Sequence, residues 1–172
     1  MVFSIASAIS ARTALGKTGT KLGSYTEIVD FMREAAFDPK ADFQELYRRL
    51  VFTILVSNKD DHLKNHGFLY VGSGRWRLSP VFDVNPTPDR NPYLETAIME
   101  GGGHNRSIKL ALEACEFFEI SDAAARQIIR DTAHRISDEW REALRQVGVT
   151  GVKARDYELA FINEETEIAL GL

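Results

Sequence analysis

An apolar stripe between residues 43 and 55 constrains the fold of this chain more than any other feature. Just before the stripe, Asp38 and Pro39 mark the start of its helix, because aspartate is a favoured N-cap and proline fits the first helical turn. The stripe predicts a rigid helix, packed in a core, that ends near Ser57 and Asn58. Its members recur at helical spacings of three and four: Phe43, Leu46, Tyr47, Leu50, Val51, Ile54 and Leu55.

The segments that flank this helix predict one more helix and a β-hairpin. Residues 24–27, Ser-Tyr-Thr-Glu, form a capping box that starts a helix upstream. Residues 6–9 are compatible with a short helix, and no strand is predicted before residue 40. Downstream, Gly67 to Val71 and Arg75 to Leu78 have the composition of two short strands joined by a glycine-bearing turn.

Beyond about Tyr93 the chain has a helical pattern. One helix is predicted from Ser107, with Cys115 and Phe118 facing inward. A long helix is predicted from the N-cap Ser121 to a stop at Gly148, with Val147 among its inward residues. A final helix is predicted from about residue 153 to 170. The expected fold class is therefore mainly α, with one small β-hairpin.

Composition narrows the class of protein. Hydrophobic residues make up 44% of the 172 residues and charged residues 27%, as in one globular domain. The net charge of −4 argues against binding of nucleic-acid backbones through bulk charge. Cys115 is the single cysteine, which excludes an intrachain disulfide and favours a reducing compartment. No apolar run is long enough to span a membrane and no signal-peptide pattern is present, so we expect a cytoplasmic protein.

The residues best suited to chemistry flank the predicted hairpin. Residues 60–65 read Asp-Asp-His-Leu-Lys-Asn, and Asp83 follows the second strand. An acid, an amide five positions later and a second acid after a hairpin is the layout of a phosphoryl-transfer site. Asp60 could accept a hydroxyl proton, while Asn65 and Asp83 supply the oxygen ligands that Mg²⁺ on ATP phosphates prefers.

Other interpretations of these residues stay open. Residues 60–65 could form a solvated acidic turn, or His62 and His66 could bind a transition metal together with Asp60 or Asp61. Two glycine-bearing segments are interpreted as loops. Residues 16–18, Gly-Lys-Thr, lack the earlier glycine of a phosphate-binding loop, and residues 101–103 lack a strand–helix context.

Two stretches carry a specific resemblance to a known family. Residues 56–69, Val-Ser-Asn-Lys-Asp-Asp-His-Leu-Lys-Asn-His-Gly-Phe-Leu, and residues 76–86, Trp-Arg-Leu-Ser-Pro-Val-Phe-Asp-Val-Asn-Pro, resemble the C-terminal signature of HipA-type toxin kinases. The family consists of bacterial serine/threonine kinases with a fold related to eukaryotic protein kinases. The resemblance implies that Asp60 is the catalytic aspartate and that Asn65 and Asp83 bind Mg²⁺. It places His62, Leu63, Lys64, Asn65, Phe82 and Asp83 at the ATP site.

The resemblance also implies partners and an organisation. Family members act with a HipB-like helix-turn-helix antitoxin and phosphorylate proteins such as aminoacyl-tRNA synthetases. Residues 1–172 correspond to the C-lobe, and we expect the N-terminal nucleotide-binding lobe to be absent. The chain alone is then expected to transfer phosphate poorly or not at all. The alternatives are a non-catalytic module that docks an antitoxin or another protein, and a metal-dependent hydrolase built on the two histidines and the acids.

Overall fold

The apolar stripe forms the centre of the fold. The computed structural model describes residues 7–19, 21–89, 91 and 93–172. Helix α3 spans Pro39–Leu55 and begins as predicted, with the Asp38 carboxylate accepting a hydrogen bond from Ala41 N. Every residue of the stripe is buried. A helix buried along such a wide face is held by its surroundings, so it provides a rigid base for the residues that follow it.

Helix α2 packs beside α3 and carries the predicted capping box. It spans Tyr25–Ala35. Ser24 Oγ accepts from Glu27 N at 3.2 Å, while the Glu27 carboxylate accepts from Ser24 N at 2.9 Å. Ile28 and Met32 turn inward and are fully buried. The reciprocal cap fixes the start of the helix, and Tyr25 at its first turn lies in the core.

A three-stranded antiparallel sheet lies against the helices. Its strands are β1 (Ala8–Ser10), β2 (Gly67–Gly72) and β3 (Arg75–Leu78), in that order across the sheet. The predicted hairpin is β2–β3. Its turn residues Ser73 and Gly74 both have positive φ, 53° and 72°, as tight hairpins with the right-handed strand twist require.

Strand β1 corrects the expectations that no strand precedes residue 40 and that residues 6–9 could form a short helix, of which residue 6 lies outside the described residues. Ala8 pairs with Leu69, and Ser10 pairs with Gly67. The four-residue helix α1, Ala11–Ala14, follows directly. A three-residue edge strand has almost no pattern of its own, and its pairing partner lies about 60 residues away, so local sequence could not reveal it.

The C-terminal half is helical, as predicted, but it is more broken. The N-cap Ser121 starts the long helix, and Gly148 stops it with φ 79°. Val147 is 73% exposed, so its predicted inward position is wrong. The elements are α4 (Ile108–Glu113), a 3₁₀ turn (Cys115–Phe118), α5 (Asp122–Gln146), α6 (Gly151–Asp156), α7 (Glu158–Phe161) and α8 (Glu164–Leu170).

The predicted final helix is three short helices. Ile162 leaves the helical conformation, and Asn163 then caps α8 by accepting from Thr166 N at 3.2 Å. The same Asn163 side chain donates to Leu55 O, at the end of α3, at 3.2 Å. The break therefore serves a tertiary contact. It places Asn163, the N-cap of α8, where its side chain can cap the end of the central helix.

A buried arginine completes the end of α3. Arg106 donates to Ile54 O at 3.0 Å and to Ser57 Oγ. Ser57 adopts a left-handed conformation with φ 56°. Burial lowers the pKa of Arg106, and the charges of Glu165 and Asp89 oppose that effect. The first contact adds a donor to a carbonyl at the helix end, where intrahelical partners are lacking, and the two together fix the exit of the chain toward residue 60.

Among the described residues, no helix combines the length and the apolar character that crossing a membrane needs.

Candidate active site

Asp60 lies on the loop that leaves α3. Its side chain is 70% exposed, and its carboxylate lies 3.8 Å from His62 Nε2. Asn65 lies on the 3₁₀ turn Leu63–Asn65 and is buried, and its Nδ2 donates to the backbone oxygen of Asp60 at 2.8 Å. The structure thus brings the predicted acid and the predicted amide together. The backbone of Asp60 is held while its carboxylate remains free to accept a proton.

The residues between them occupy two different environments. Leu63 is buried, and a methyl group placed on Gly23 would lie 2.7 Å from Leu63 Cδ1. Lys64 is exposed and projects from the same turn. The His62 side chain is 30% exposed, with Nδ1 buried and without a hydrogen-bond partner among the described residues. The Leu63 side chain therefore packs against Gly23, whereas Lys64 presents a charge to solvent.

Phe82 lies beside the start of β2, and Asp83 follows it in the chain. A methyl group on Gly67 would lie 2.8 Å from Ser79 Oγ and 3.3 Å from the Phe82 ring, so this glycine allows the ring to approach. Gly67 comes two residues after Asn65, so the Phe82 ring also lies beside the loop. Asp83 is exposed, has φ 55°, and accepts from Asn85 Nδ2 at 2.9 Å. A non-glycine residue in this conformation is uncommon, although aspartate adopts it more readily than most residues.

The second acid of the loop, Asp61, has the opposite environment to Asp60. Its side chain is 3% exposed, against 70% for Asp60. It accepts from the Tyr25 hydroxyl at 2.6 Å and lies 3.2 Å from His66 Nε2. His66 is buried as well. The role of Asp61 as an anchor was not predicted, because nothing in a pair of adjacent aspartates tells which one is buried.

The histidines do not form a common site. His62 faces Asp60 on the exposed side of the loop, and His66 faces Asp61 in the interior. Within the described ranges, no group of three or more His, Cys, Asp or Glu side chains is placed to hold a metal ion. The geometry gives no support to a transition-metal site or to the hydrolase built on it.

Positive charge gathers beside the loop. A small cavity of about 130 Å³ has Arg12, Lys21, His62, Lys64 and Glu95 in its lining. Three of these five side chains are Lys or Arg and one is an acid, in a protein whose net charge is −4. This local excess of cations is suited to phosphate groups near the loop.

The glycine-bearing segment at residues 16–18 is a loop, as predicted. Lys17 forms an ion pair with Glu27, and Gly16 has φ 60°. Helix α1 separates this segment from β1, so the strand-to-loop order of a phosphate-binding loop is not met.

The fold and this loop define a mainly α, kinase-like lobe. The model of the family described as HipA-like C-terminal domain matches residues 4–140, which include every candidate site residue. The chain belongs to the HipA-like C-terminal domain family.

Two curated proteins are similar to part of the chain. A Haemophilus influenzae protein named "Putative kinase" is 31% identical over 88 residues, which are 48% of this chain and 26% of the relative. A Sinorhizobium fredii protein named "Putative kinase Y4dM" is 33% identical over 106 residues, 59% of this chain and 25% of the relative. The chain spans about a quarter of the length of these curated relatives.

The fold also matches a solved structure, the Shewanella oneidensis MR-1 toxin antitoxin system HipA, HipB and its operator DNA complex. The match covers 96% of this chain and 42% of that chain, with a TM-score of 0.74 and 14% identity. At this identity the likeness shows the fold, and it agrees with the mainly α class predicted from the sequence.

Proposed function

We propose that this chain is the C-lobe of a HipA-like kinase that transfers the γ-phosphate of ATP to a protein serine or threonine. One observation carries the proposal: the Asn65 side chain holds the backbone of Asp60 at 2.8 Å while the Asp60 carboxylate stays exposed. A general base needs this combination of a fixed backbone and an accessible carboxylate. Membership of the family and the kinase names of the curated relatives support it further.

In this proposal each residue of the loop has a distinct task. Asp60 accepts the proton of the acceptor hydroxyl as that oxygen attacks the γ-phosphorus. Lys64, exposed beside the cavity, offsets negative charge on the phosphate being transferred. His62 and the backbone of Leu63 line the nucleotide side, and Phe82 offers a half-exposed ring, 47% accessible, for apolar contact.

The oxygen donors fit a magnesium ion. Asn65 uses its Nδ2 to hold Asp60, and no described group donates to its side-chain oxygen, which is thereby left for a ligand. The exposed Asp83 supplies a carboxylate, and carboxylate and amide oxygens are the donors that Mg²⁺ prefers. We propose that Asn65 and Asp83 hold Mg²⁺ on ATP. When bound, Mg²⁺ would neutralise charge that develops on the phosphate oxygens.

The test compares phosphate transfer from ATP by the chain alone and by a fusion. In the fusion, the N-terminal lobe of a HipA-family kinase is joined ahead of this chain. Transfer is expected from the fusion and only poorly from the chain alone, since kinases divide positioning and charge neutralisation between two lobes. Asp60→Asn is expected to lower transfer by the fusion on the order of 1000-fold.

Asp30→Asn is the matched control, because the Asp30 side chain is 68% exposed against 70% for Asp60 and lies on α2. The control is expected to keep full activity. An active Asp60→Asn fusion would contradict the proposed base. Robust transfer by the chain alone would contradict the need for a second lobe.

We further propose that the protein works in a toxin–antitoxin pair with a HipB-like helix-turn-helix antitoxin and contacts DNA only through that partner. The fold match to a HipA chain in complex with HipB and operator DNA supports this. A protein substrate such as an aminoacyl-tRNA synthetase is the proposed acceptor. Co-purification with a HipB-like helix-turn-helix protein tests the partner. Phosphopeptide mapping of cells in which the fusion is expressed tests the acceptor.

A further inference from the structure

Asp61 is a buried carboxylate directly next to the proposed base. Its strongest contact is the Tyr25 hydroxyl, which donates at 2.6 Å from the first turn of α2. Burial, followed by the charge of Asp61, raises the pKa of Tyr25 well above its usual value, so the hydroxyl remains a donor at neutral pH. A buried carboxylate without such a donor is strongly unfavourable. Asp61 is therefore held in place from the side of α2.

His66 contributes to the same anchor in a weaker way. Its ring meets the Tyr25 ring edge-on with centroids 5.1 Å apart. Its Nε2 lies 3.2 Å from Asp61 Oδ1 but does not have the geometry of a hydrogen bond. His66 thus packs against the anchor, and Tyr25 supplies the directional bond.

The backbone of Asp61 is held from a third direction. Its carbonyl oxygen accepts from Thr96 N at 3.0 Å and from Thr96 Oγ1 at 2.6 Å. The Thr96 segment is tied to the start of α2 in turn, since Tyr25 N donates to Ala97 O at 2.9 Å and Ala97 N donates to Gly23 O at 2.9 Å. Three segments distant in sequence therefore meet at Asp61.

We propose that Tyr25, Asp61 and Thr96 form a positioning clamp that aims the carboxylate of Asp60, an inference that rests on the proposed kinase function. Asp60 and Asp61 share a peptide unit, so fixing the side chain and the carbonyl of Asp61 restricts the backbone of Asp60. Asn65 restricts it from the other side by binding the Asp60 carbonyl. A displacement of about 1 Å in such a group lowers the rate of a reaction about 100-fold.

The first test uses two matched tyrosines. Tyr25 and Tyr47 are both fully buried, and each donates one hydrogen bond, Tyr25 to Asp61 and Tyr47 to Ala111 O at 3.0 Å. In the fusion described above, Tyr25→Phe is expected to lower kcat about 10-fold to 100-fold, with the KM for ATP changed less than about 2-fold. Tyr47→Phe is expected to leave both parameters unchanged.

The second test uses two matched threonines. Thr96 and Thr166 are both buried, and each hydroxyl donates to a backbone carbonyl, in the case of Thr166 to Phe161 O at 3.0 Å. Thr96→Val is expected to lower kcat in the same way as Tyr25→Phe, and Thr96→Ser, which keeps the hydroxyl, is expected to restore it. Thr166→Val is expected to leave kcat unchanged.

Amide hydrogen exchange of the intact chain provides an independent readout. Tyr25→Phe and Thr96→Val are expected to speed exchange at Asn65, whose amide donates to His62 O at 2.8 Å, while Tyr47→Phe does not. Kinetics and exchange equal to those of the controls, or a loss of kcat that matches only the loss of folded protein by circular dichroism, would overturn the clamp. If Asp60→Asn is silent as well, the proposed kinase function fails together with it. If only Asp60→Asn is inactive, the clamp alone fails.

Discussion

At the scale of single residues, burial decides what each acid of this lobe can do. Asp60 and Asp61 are neighbours in the chain, yet one side chain is 70% exposed and the other 3%. The exposed carboxylate is accessible to a ligand, whereas the buried one is held by the Tyr25 hydroxyl. Asp42 on α3 is a third case, because its buried carboxylate accepts from Leu78 N at 3.2 Å and joins the helix to β3.

Asp42 is expected to make stability depend on pH. Burial raises its pKa, although the Leu78 amide and the charge of Arg77 oppose the shift. With a raised carboxyl pKa, the folded state binds the proton more tightly than the unfolded state. This contribution to stability is present below the unfolded pKa of about 4 and is lost as the pH rises through the folded pKa.

The measurement is urea unfolding of wild type and Asp42→Asn between about pH 4 and pH 7. Asparagine has no proton to lose, so the free energy of unfolding of the variant relative to wild type is expected to increase with pH. Asp138→Asn, at an exposed position of α5, is the control for the change in net charge. Parallel pH curves for Asp42→Asn and wild type would contradict the expectation.

At the scale of elements, the C-terminal end of α3 determines where the candidate site begins. The helix end is capped by groups distant in sequence, Arg106 on Ile54 O and Asn163 on Leu55 O. Because the capping groups come from the segment before α4 and from the start of α8, the C-terminal helices stabilise the loop that carries Asp60.

Arg106→Met is expected to lower the free energy of unfolding by about 3 kcal/mol, since it removes a buried guanidinium that donates to Ile54 O and to Ser57 Oγ and leaves those acceptors with only the weaker contacts from Ser57 N and Asn163 Nδ2. Arg106→Lys keeps the charge and is expected to lose less. Arg135→Met is the control. Arg135 pairs with Glu139 on the surface of α5 with its side chain 77% exposed, so its removal should cost less than about 1 kcal/mol. Equal losses for the two Arg→Met variants in urea unfolding would exclude the capping role.

At the scale of the whole molecule, one hydrophobic core joins the sheet to the helices that precede the β2–β3 hairpin and to those that follow it. The cluster of buried residues extends from Ala11 beside β1, through the α3 stripe, to Ala169 on α8. The two tryptophans report on its opposite parts. Trp76 on β3 contacts the Tyr70 ring at 5.2 Å, and Trp140 on α5 stacks on Phe161 at 5.0 Å.

A single core predicts a single cooperative unfolding transition. In each of the variants Trp76→Phe and Trp140→Phe, the fluorescence of the remaining tryptophan is expected to change with the same midpoint as the helical circular dichroism signal. If Trp140→Phe loses its Trp76 signal at a lower urea concentration than its helical signal, the sheet unfolds separately and the prediction is wrong.

Local sequence patterns allowed much of the fold to be predicted. The α3 stripe, the capping box before α2, the β2–β3 hairpin and the cap of α5 each depend on residues within a few positions of one another. The same locality holds for the candidate loop, in which Asp60 and Asn65 lie five positions apart and meet through one hydrogen bond. The layout of Asp60, Asn65 and Asp83 predicted a phosphoryl-transfer site, resemblance to a family added the other residues of the site, and its chemistry stays a prediction.

Local patterns thus determined the central helix, the hairpin and the position of the candidate loop, because backbone geometry and apolar periodicity act over a few residues. Only the tertiary structure decided that β1 joins the sheet, that the final helix breaks at Asn163, and that Asp61 rather than Asp60 is buried. Each of these features depends on a partner that is close in space but distant in sequence: Leu69 for Ala8, Leu55 for Asn163 and Tyr25 for Asp61. A sequence pattern cannot contain such pairings, since the energy that selects them comes from burial and hydrogen bonding in the folded state.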